Sequence, residues 1–487
     1  LKLSAQVEPN AALHHPCVDH SLLYPARGMV PLWISKCVAE FVGTYLLVLT
    51  VGCNVLSQNS VWGGVSIASV LMVAIYSFAG ISGANFNPAV SWALFASKRL
   101  GGPGIDLKTL MMYSISQVAA GIAAAFSYCM LYQDSFNLSP AKGFSWWQAG
   151  LCEVLYTFML CFVVLNVAAA NIYAKEANEF YGLAIGFVIV AGAYGAGAVS
   201  GGCFNPAVAI GIDTSSHSRG WGWCLYYMLF ELVGASLAAC LFMLVRPGDF
   251  ARTAHTRATT VTKCLSEFLG TFMLVLTVGL NILGKSKAGA FSIAASLMCM
   301  IYALGDVSGG HFNPAVTAAV FITKSDADLA PAVAGLYMLA QVSGSICAAS
   351  VYEAIYWGAG PSVSLKKGNW EADTWAPIAF GEIIFTALLV FVVLSVACSE
   401  KTKSTTMFAL AIGSCVTVGG FAAADLSGGS LNPAVSIGIQ TVSSFSSGTS
   451  WSPALVYSAF EMLGAILAVG IFSLTHSMGP KEEISKV

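Results

Sequence analysis

The sequence predicts an all-α membrane protein made of two modules, each with six transmembrane helices and two re-entrant half-helices arranged as inverted repeats. Three observations support this fold class. The 487 residues are 57% hydrophobic and only 9% charged, whereas soluble domains carry about 25% charged residues. Twelve apolar segments are long enough to cross a bilayer. The tetrapeptide Asn-Pro-Ala-Val occurs four times, once for every three of those segments.

The apolar segments form two sets of six, separated by the longest polar stretch between spans, RPGDFARTAHTRATTVTK (246–263). A span needs about 20 apolar residues. We therefore predict an N-terminal segment (1–32), a first module (33–246), a cytoplasmic linker (247–261), a second module (262–476) and a C-terminal tail (477–487). The predicted spans are residues 33–56, 62–80, 108–131, 147–170, 181–199 and 222–245, and then 262–283, 290–305, 330–357, 375–398, 407–424 and 452–474.

Each set of six is itself a pair of repeats. The motif asparagines lie 118, 108 and 119 residues apart. Upstream of each motif, a glutamate is followed four residues later by threonine, and downstream a glutamine or glutamate shortly precedes a glycine. These polar landmarks are Glu40, Glu153, Glu267 and Glu382, and Gln117, Glu231, Gln341 and Glu461. The chain is thus predicted to contain four units of three spans each.

The number of spans per unit determines the topology. Three is odd, so adjacent units are inverted relative to each other; six is even, so the two modules share one orientation. With the N-terminus in the cytoplasm, 16 lysines and arginines fall on the cytoplasmic side and 6 on the other side. Cytoplasmic loops of membrane proteins carry an excess of basic residues, so we predict that both termini are cytoplasmic.

The repeated motif predicts short helices that enter the membrane and return. Asparagine is a good N-cap and proline suits the first helical position. The apolar stretch PAVSWALFA that follows Asn87 is too short to span a bilayer. Because the units are inverted, the two half-helices of a module enter from opposite faces and their positive N-terminal ends meet near the midplane. Four ordinary helix caps in a packed bundle are the alternative.

Two such ends, each with an asparagine amide, would orient water and oppose cations. This arrangement suits a pore for neutral molecules. The net charge of −2 argues against a nucleic-acid partner. No catalytic constellation, cofactor motif or metal-ligand spacing is recognisable, so we predict neither an enzyme nor a cofactor. We expect the protein to be surrounded by membrane lipid.

The motifs resemble those of the aquaporin, or major intrinsic protein, family. The resemblance covers nearly all of the chain after about residue 33, twice over. It rests on AEFVGT and SEFLGT in the first span of each module, on SGANFNPAV and SGGHFNPAV in the first loops, and on SGGCFNPAV and SGGSLNPAV in the second loops. It implies two fused channel modules with one pore each. Since aquaporins assemble as tetramers, it also implies a homodimer that forms a four-module pseudo-tetramer, or association with a larger membrane complex.

The resemblance also assigns roles to residues. The four motifs are expected to line the pores, and the glutamates Glu40, Glu153, Glu267 and Glu382 to accept hydrogen bonds from the loop backbones, with a proton relay as the alternative. The motif residues are Asn87, Pro88, Ala89, Asn205, Pro206, Ala207, Asn313, Pro314, Ala315, Asn432, Pro433 and Ala434.

The predicted outer filters depart from the family pattern. Most aquaporins have an arginine directly after the second motif, whereas this chain has Val208 and Val435. The remaining filter positions are also small or apolar, which predicts a wide, apolar constriction. Tonoplast-type aquaporins share this valine and are associated with urea, ammonia and hydrogen peroxide as well as water. Those remaining positions are Ile67, Ala193 and Gly202 in the first module and Ile293, Gly420 and Gly429 in the second.

Several residues distinguish the two modules. His311 stands where the first module has Asn85, and is a candidate gating residue or a hydrogen-bonded structural histidine. Cys203 lies beside the first pore loop, either as a thiol-sensitive site or as a small packing residue. In both modules the sixth span carries a glutamate that is unusual for the family, Glu231 or Glu461. Each is assigned either to a hydrogen bond across a helix or module interface or to an ion or proton site.

Two classes of function follow from the sequence. The first is a passive channel for water and small neutral solutes, including glycerol. The second is a structural subunit of a membrane complex whose pores are closed or incidental. A coupled transporter ranks last, because the predicted midplane groups are neutral amides.

Overall fold

A computed structural model of the protein describes residues 30–174, 178–216, 220–250, 258–358, 362–368 and 374–476. Most of the predicted N-terminal segment, residues 251–257 of the predicted linker and the C-terminal tail lie outside the described residues. Within the described ranges the regular structure is entirely helical. Eleven of the helices are long and apolar enough to cross a membrane, which confirms an all-α membrane protein.

The first module contains eight α-helices. Six correspond to predicted spans, and two short ones follow the motifs. A five-residue π-helical turn, Leu165–Ala169, extends the fourth of the long helices. The helices are α1 (Leu32–Leu56), α2 (Gly63–Ser82), α3 (Pro88–Arg99), α4 (Leu107–Tyr132), α5 (Trp146–Val164), α6 (Tyr181–Ser200), α7 (Pro206–Ser215) and α8 (Trp223–Val245).

The second module repeats this order, again with a π-helical turn, Leu394–Cys398, after its fourth long helix. Six long or medium helices and two motif helices therefore build each module, as the repeats predict. The helices are α9 (Thr260–Leu283), α10 (Gly289–Ser308), α11 (Pro314–Thr323), α12 (Pro331–Ile355), α13 (Trp375–Val393), α14 (Phe408–Ala422), α15 (Pro433–Ser447) and α16 (Ser452–His476).

One of the twelve predicted spans is shorter than expected. The segment 407–424 forms α14, whose 15 residues fall below the length of a full crossing. Its counterpart α6 has 20 residues and continues to Ser200, which corresponds to Ser427. In α14 the helix ends early, because the N–H groups of Leu426, Ser427 and Gly428 all bond to the carbonyl of Ala423 in a turn. Two adjacent glycines, in the sequence GGFAAADLSGG, weaken the helix just before this turn.

The two modules pack side by side through different elements of each. Helices α5 and α6 of the first module contact α9, α10 and α12 of the second. Tyr156 donates a hydrogen bond to the Thr277 hydroxyl (3.0 Å), and Gln148 donates to the carbonyl of Ile355 (2.8 Å). Tyr302 stacks on Phe180 with ring centroids 4.3 Å apart. The interface thus joins the fourth and fifth long helices of the first module to the first three long helices of the second.

An ion pair joins the modules where α8 ends. The Arg246 guanidinium donates to both carboxylate oxygens of Asp306 (2.6 and 2.7 Å) and to the amide oxygen of Asn166 (2.6 Å). The Arg246 side chain is only 9% exposed. Two parallel bonds to one carboxylate give strong, directional pairing. The end of the first module is therefore anchored to α10 of the second.

Candidate functional site

Each motif begins a short helix in the way the sequence predicts. Asn87 has an extended backbone, its side-chain oxygen accepts from the N–H of Ala89 (2.8 Å), and Pro88 takes the first helical position. The residue before each asparagine has a positive φ, between +49° and +55°. This conformation is unfavourable for bulky residues. It turns the chain sharply at the N-terminal end of the half-helix, which we call the tip. The same cap and turn recur at Asn205 after Phe204, Asn313 after Phe312 and Asn432 after Leu431.

The two half-helix tips of a module meet at its centre. The side-chain amide of Asn87 donates to the carbonyl of Phe204 (2.8 Å), and that of Asn205 donates to the carbonyl of Phe86 (3.0 Å). The second module has the same pair of bonds, each of 2.9 Å, from Asn313 to Leu431 and from Asn432 to Phe312. A side-chain amide carries two hydrogens, so each asparagine retains one after bridging to the opposite tip.

A buried glutamate anchors each tip. The Glu40 carboxylate accepts from the N–H groups of Asn85 (3.0 Å) and Phe86 (2.8 Å), from the Ser82 hydroxyl (2.6 Å) and from Gln117 (2.8 Å). These bonds satisfy backbone donors that the tip conformation leaves without helical partners. Each of the other three glutamates accepts from two successive backbone N–H groups: Glu153 from Cys203 and Phe204, Glu267 from His311 and Phe312, and Glu382 from Ser430 and Leu431.

The Gln or Glu landmark downstream of each motif differs between alternate units. In the first and third units a glutamine supports the anchor, because Gln117 donates to Glu40 and Gln341 donates to Glu267 (both 2.8 Å). In the second and fourth units a glutamate takes this place and accepts from the asparagine N–H itself. These bonds run from Asn205 to Glu231 (2.8 Å) and from Asn432 to Glu461 (3.0 Å). The partners of Glu231 and Glu461 are thus within their own modules.

Sequence reasoning missed a set of four tyrosines at the tips. The Tyr113 hydroxyl donates to the carbonyl of Ser82 (2.6 Å), at the end of the helix that leads into the loop. The signal was present, because a tyrosine precedes each Gln or Glu landmark by four residues, one helical turn. The equivalent bonds run from Tyr227 to Ser200, Tyr337 to Ser308 and Tyr457 to Ser427.

A cavity passes the tips in each module. Its volume is about 600 Å³ in the first module and about 790 Å³ in the second. Both motif asparagines of each module line the corresponding cavity. All eight predicted filter positions are also among the lining residues: Ile67, Ala193, Gly202 and Val208 in the first, and Ile293, Gly420, Gly429 and Val435 in the second.

Two of the residues that distinguish the modules also line these cavities. His311 lies in the second cavity, where its Nδ1 is 3.1 Å from the Thr317 hydroxyl and its ring packs edge-on against Tyr337. Cys203 lies in the first cavity, with its Sγ 3.4 Å from the carbonyl oxygen of Asn205. Hydrogen bonds hold His311 in place. Cys203 is the only cysteine among the described lining residues of the two cavities.

Two capped half-helices that meet from opposite sides beside a cavity, inside a bundle of membrane helices, define an inverted-repeat channel protein. The sequence profile of the major intrinsic protein family matches residues 30–242, 177–283 and 254–472. The chain therefore belongs to the major intrinsic protein family, and it carries two copies of the family fold in tandem.

Two proteins of similar sequence agree with this assignment. The chain is 36% identical over 210 residues to "Glycerol uptake facilitator protein-like 6" of Lactiplantibacillus plantarum, covering 42% of this chain and 94% of that protein. It is 31% identical over 247 residues to "Nodulin-26" of Glycine max, covering 47% and 85% respectively. Among solved structures, the aquaglyceroporin from Plasmodium falciparum aligns with a TM-score of 0.37 at 19% identity, covering 45% of this chain and 97% of that chain.

Proposed function

We propose that both modules conduct water and small neutral solutes, including glycerol, urea, ammonia and hydrogen peroxide. The observation that carries this proposal is that, in each module, the asparagine-capped tips line a cavity together with the predicted filter positions, which are all small or apolar. The remaining amide hydrogens can donate to a passing oxygen, and the helix dipoles oppose cations. Because no arginine occupies the predicted filter, we expect it to admit solutes larger than water.

The test is a stopped-flow permeability panel on liposomes that contain the protein, with water, glycerol, urea, ammonia and peroxide. We expect faster volume change than in empty liposomes for water and for at least one larger solute. Liposomes that swell no faster than empty ones with every solute would refute the proposal and favour a structural membrane subunit.

We also propose that two chains form a dimer with four modules. Within one chain, α5 and α6 are covered by α9 and α10. The equivalent surfaces, α1 and α2 of the first module and α13 and α14 of the second, have no comparable contact with the other module among the described residues. In the most apolar stretch of α10, 72% of the residues are buried, whereas in the most apolar stretch of its counterpart α2 only 22% are buried. A second copy related by a twofold axis would cover both open surfaces with the same kind of contact.

A single residue pair makes this dimer testable. Tyr302 packs on Phe180 inside the chain and is 2% exposed, whereas its counterpart Tyr76 is 44% exposed. The counterpart of Phe180 is Met407, which is 54% exposed. Cysteines at positions 76 and 407 should therefore crosslink between two chains in the membrane. Cysteines at 76 and 130, where Met130 faces outward from α4, are the control pair; equal crosslinking of both pairs would count against the dimer.

We propose the cytoplasmic placement of both termini and the module boundary after residue 246 on the basis of the charge bias and the inverted repeats. Protease protection of epitope-tagged termini in sealed, oriented vesicles tests the orientation.

A further inference from the structure

The outer ends of the two cavities differ in charge. Among the described residues, the lining of the first cavity contains no lysine, arginine, aspartate or glutamate, whereas the lining of the second contains Lys285 and Lys366. Lys285 follows α9 with a left-handed backbone (φ +51°), and the equivalent residue after α1 is the uncharged Gln58 (φ +54°). The segment of the first module that corresponds to the surroundings of Lys366 contributes Phe136, Asn137, Leu138 and Ser139.

Lys366 is held in place by the early end of α14. Its ammonium donates to the carbonyls of Ala424 (2.8 Å) and Asp425 (2.6 Å), which follow the last helical residue. A cation is favourable at a helix C-terminus, where carbonyls lack helical partners. In α6 the helix continues to Ser200, and the carbonyl of Gly197, which is equivalent to Ala424, already accepts from the N–H of Gly201 (3.2 Å). An ammonium has three donors, and one remains after these two bonds.

The backbone around Lys366 is also fixed, by contacts that are specific to the second module. The N–H of Leu365 donates to the side-chain oxygen of Gln440 (3.0 Å), and the Tyr457 hydroxyl lies 3.2 Å from the carbonyl of Lys366. The residue equivalent to Gln440 is Asp213, whose carboxylate instead accepts from Gly222 and Cys224 at the start of α8. Gln440 therefore holds the lysine-bearing segment through its side-chain oxygen, while its amide nitrogen donates to Thr449 and Ser450 just before α16. The carboxylate of Asp213 bonds to the start of α8 and not to the equivalent of the lysine-bearing segment.

We propose that Lys366, assisted by Lys285, gives the second pore a positive outer mouth that repels cations and admits neutral and anionic solutes, whereas the described lining of the first pore carries no charged side chain. The lysine restores the charge, but not the position, of the arginine missing at Val435. Two acidic residues contact this segment: the Glu353 carboxylate accepts from the N–H of Val363, and the backbone carbonyl of Asp425 accepts from Lys366. Neither residue belongs to the described lining of the cavity. This inference rests on the proposed channel function, and it predicts that one chain has two pores of different charge selectivity.

The test uses full-length protein in liposomes, with the first pore narrowed by Ala193→Trp so that the second dominates. Uptake of methylammonium (a cation), formate (an anion) and urea (a neutral solute) is measured. A unit charge a few ångströms from the path changes ion partitioning by roughly five- to tenfold. Lys366→Met should therefore raise the ratio of methylammonium to urea uptake by about that factor and lower the ratio of formate to urea uptake.

Three controls separate the charge from other effects. Lys366→Arg keeps the charge and should behave as the wild type, and so should Lys367→Met, which alters an exposed neighbour outside the cavity lining. When Ile293→Trp narrows the second pore instead, Lys366→Met should have no effect. In the unmodified protein, raising the ionic strength should raise the ratio of methylammonium to urea uptake, because salt screens exposed charges.

The outcomes distinguish this inference from the function on which it rests. Urea uptake that persists while neither Lys366→Met nor salt changes the ion ratios would overturn the charged mouth and leave the channel function intact. Absence of water and urea uptake in the wild-type protein would overturn the channel function itself.

Discussion

Replacing Glu40 by glutamine should disable the first pore, because the carboxylate is the acceptor for four donors. One of its oxygens accepts from Ser82 and Asn85, and the other accepts from Phe86 and Gln117. Glutamine offers one acceptor oxygen and one donor nitrogen, so two donors face its amide group in either orientation. A buried donor without a partner costs about 1–3 kcal/mol, so the substitution should cost about 2–6 kcal/mol. The lower end applies if the Ser82 hydroxyl rotates and accepts.

The lost hydrogen bonds destabilise the first half-helix tip, which includes Phe86. The carbonyl of Phe86 accepts from Asn205 of the opposite half-helix, so the contact between the two tips is weakened as well. We expect Glu40→Gln to lower the melting temperature by several degrees and to reduce water permeability by about half, the share of one pore of two. The double variant Glu40→Gln with Glu267→Gln should lose most permeability. Stopped-flow light scattering and thermal unfolding in detergent are the assays, with the exposed Glu400→Gln as control. Full permeability and an unchanged melting temperature in Glu40→Gln would refute this reasoning.

Three further predictions follow from the pore lining and the module interface. Val208→Arg with Val435→Arg should reduce glycerol and urea permeability at least severalfold more than water permeability, because a long charged side chain narrows the apolar constriction; equal loss for all solutes would contradict this. A mercurial reagent should block about half of the water flux, because Cys203 lines only the first cavity. Cys203→Ser should abolish this block, and Ser430→Cys should extend it to the second pore. A block that survives Cys203→Ser would show that another thiol responds. Asp306→Asn should lower the free energy of unfolding by about 2–4 kcal/mol, because it leaves the buried Arg246 guanidinium without its charge partner; Arg246→Met in addition should recover part of this loss, and denaturation of both variants in detergent gives the comparison.

Most of the architecture could be predicted because it repeats. The four Asn-Pro-Ala-Val motifs, with glutamates at nearly constant spacing, predicted the number of units and their inversion. The observed helices α1, α6 and α13 begin within one residue of the predicted spans. The tyrosines of the tips could also have been found, since Tyr113 and its three equivalents share one spacing. Span α14 was predicted too long, because hydropathy does not register the hydrogen-bonded turn at Ala423.

Local chemistry in the sequence determined the tips of this protein: asparagine caps, proline at the first helical position and a glutamate acceptor on an earlier helix specify each half-helix through short-range hydrogen bonds. The tertiary structure alone decided which surfaces join the modules and which stay open, because those contacts bring together residues more than 100 positions apart, such as Tyr156 and Thr277. It also decided the place of Lys366, since the carbonyls that hold its ammonium belong to Ala424 and Asp425, which follow the end of α14.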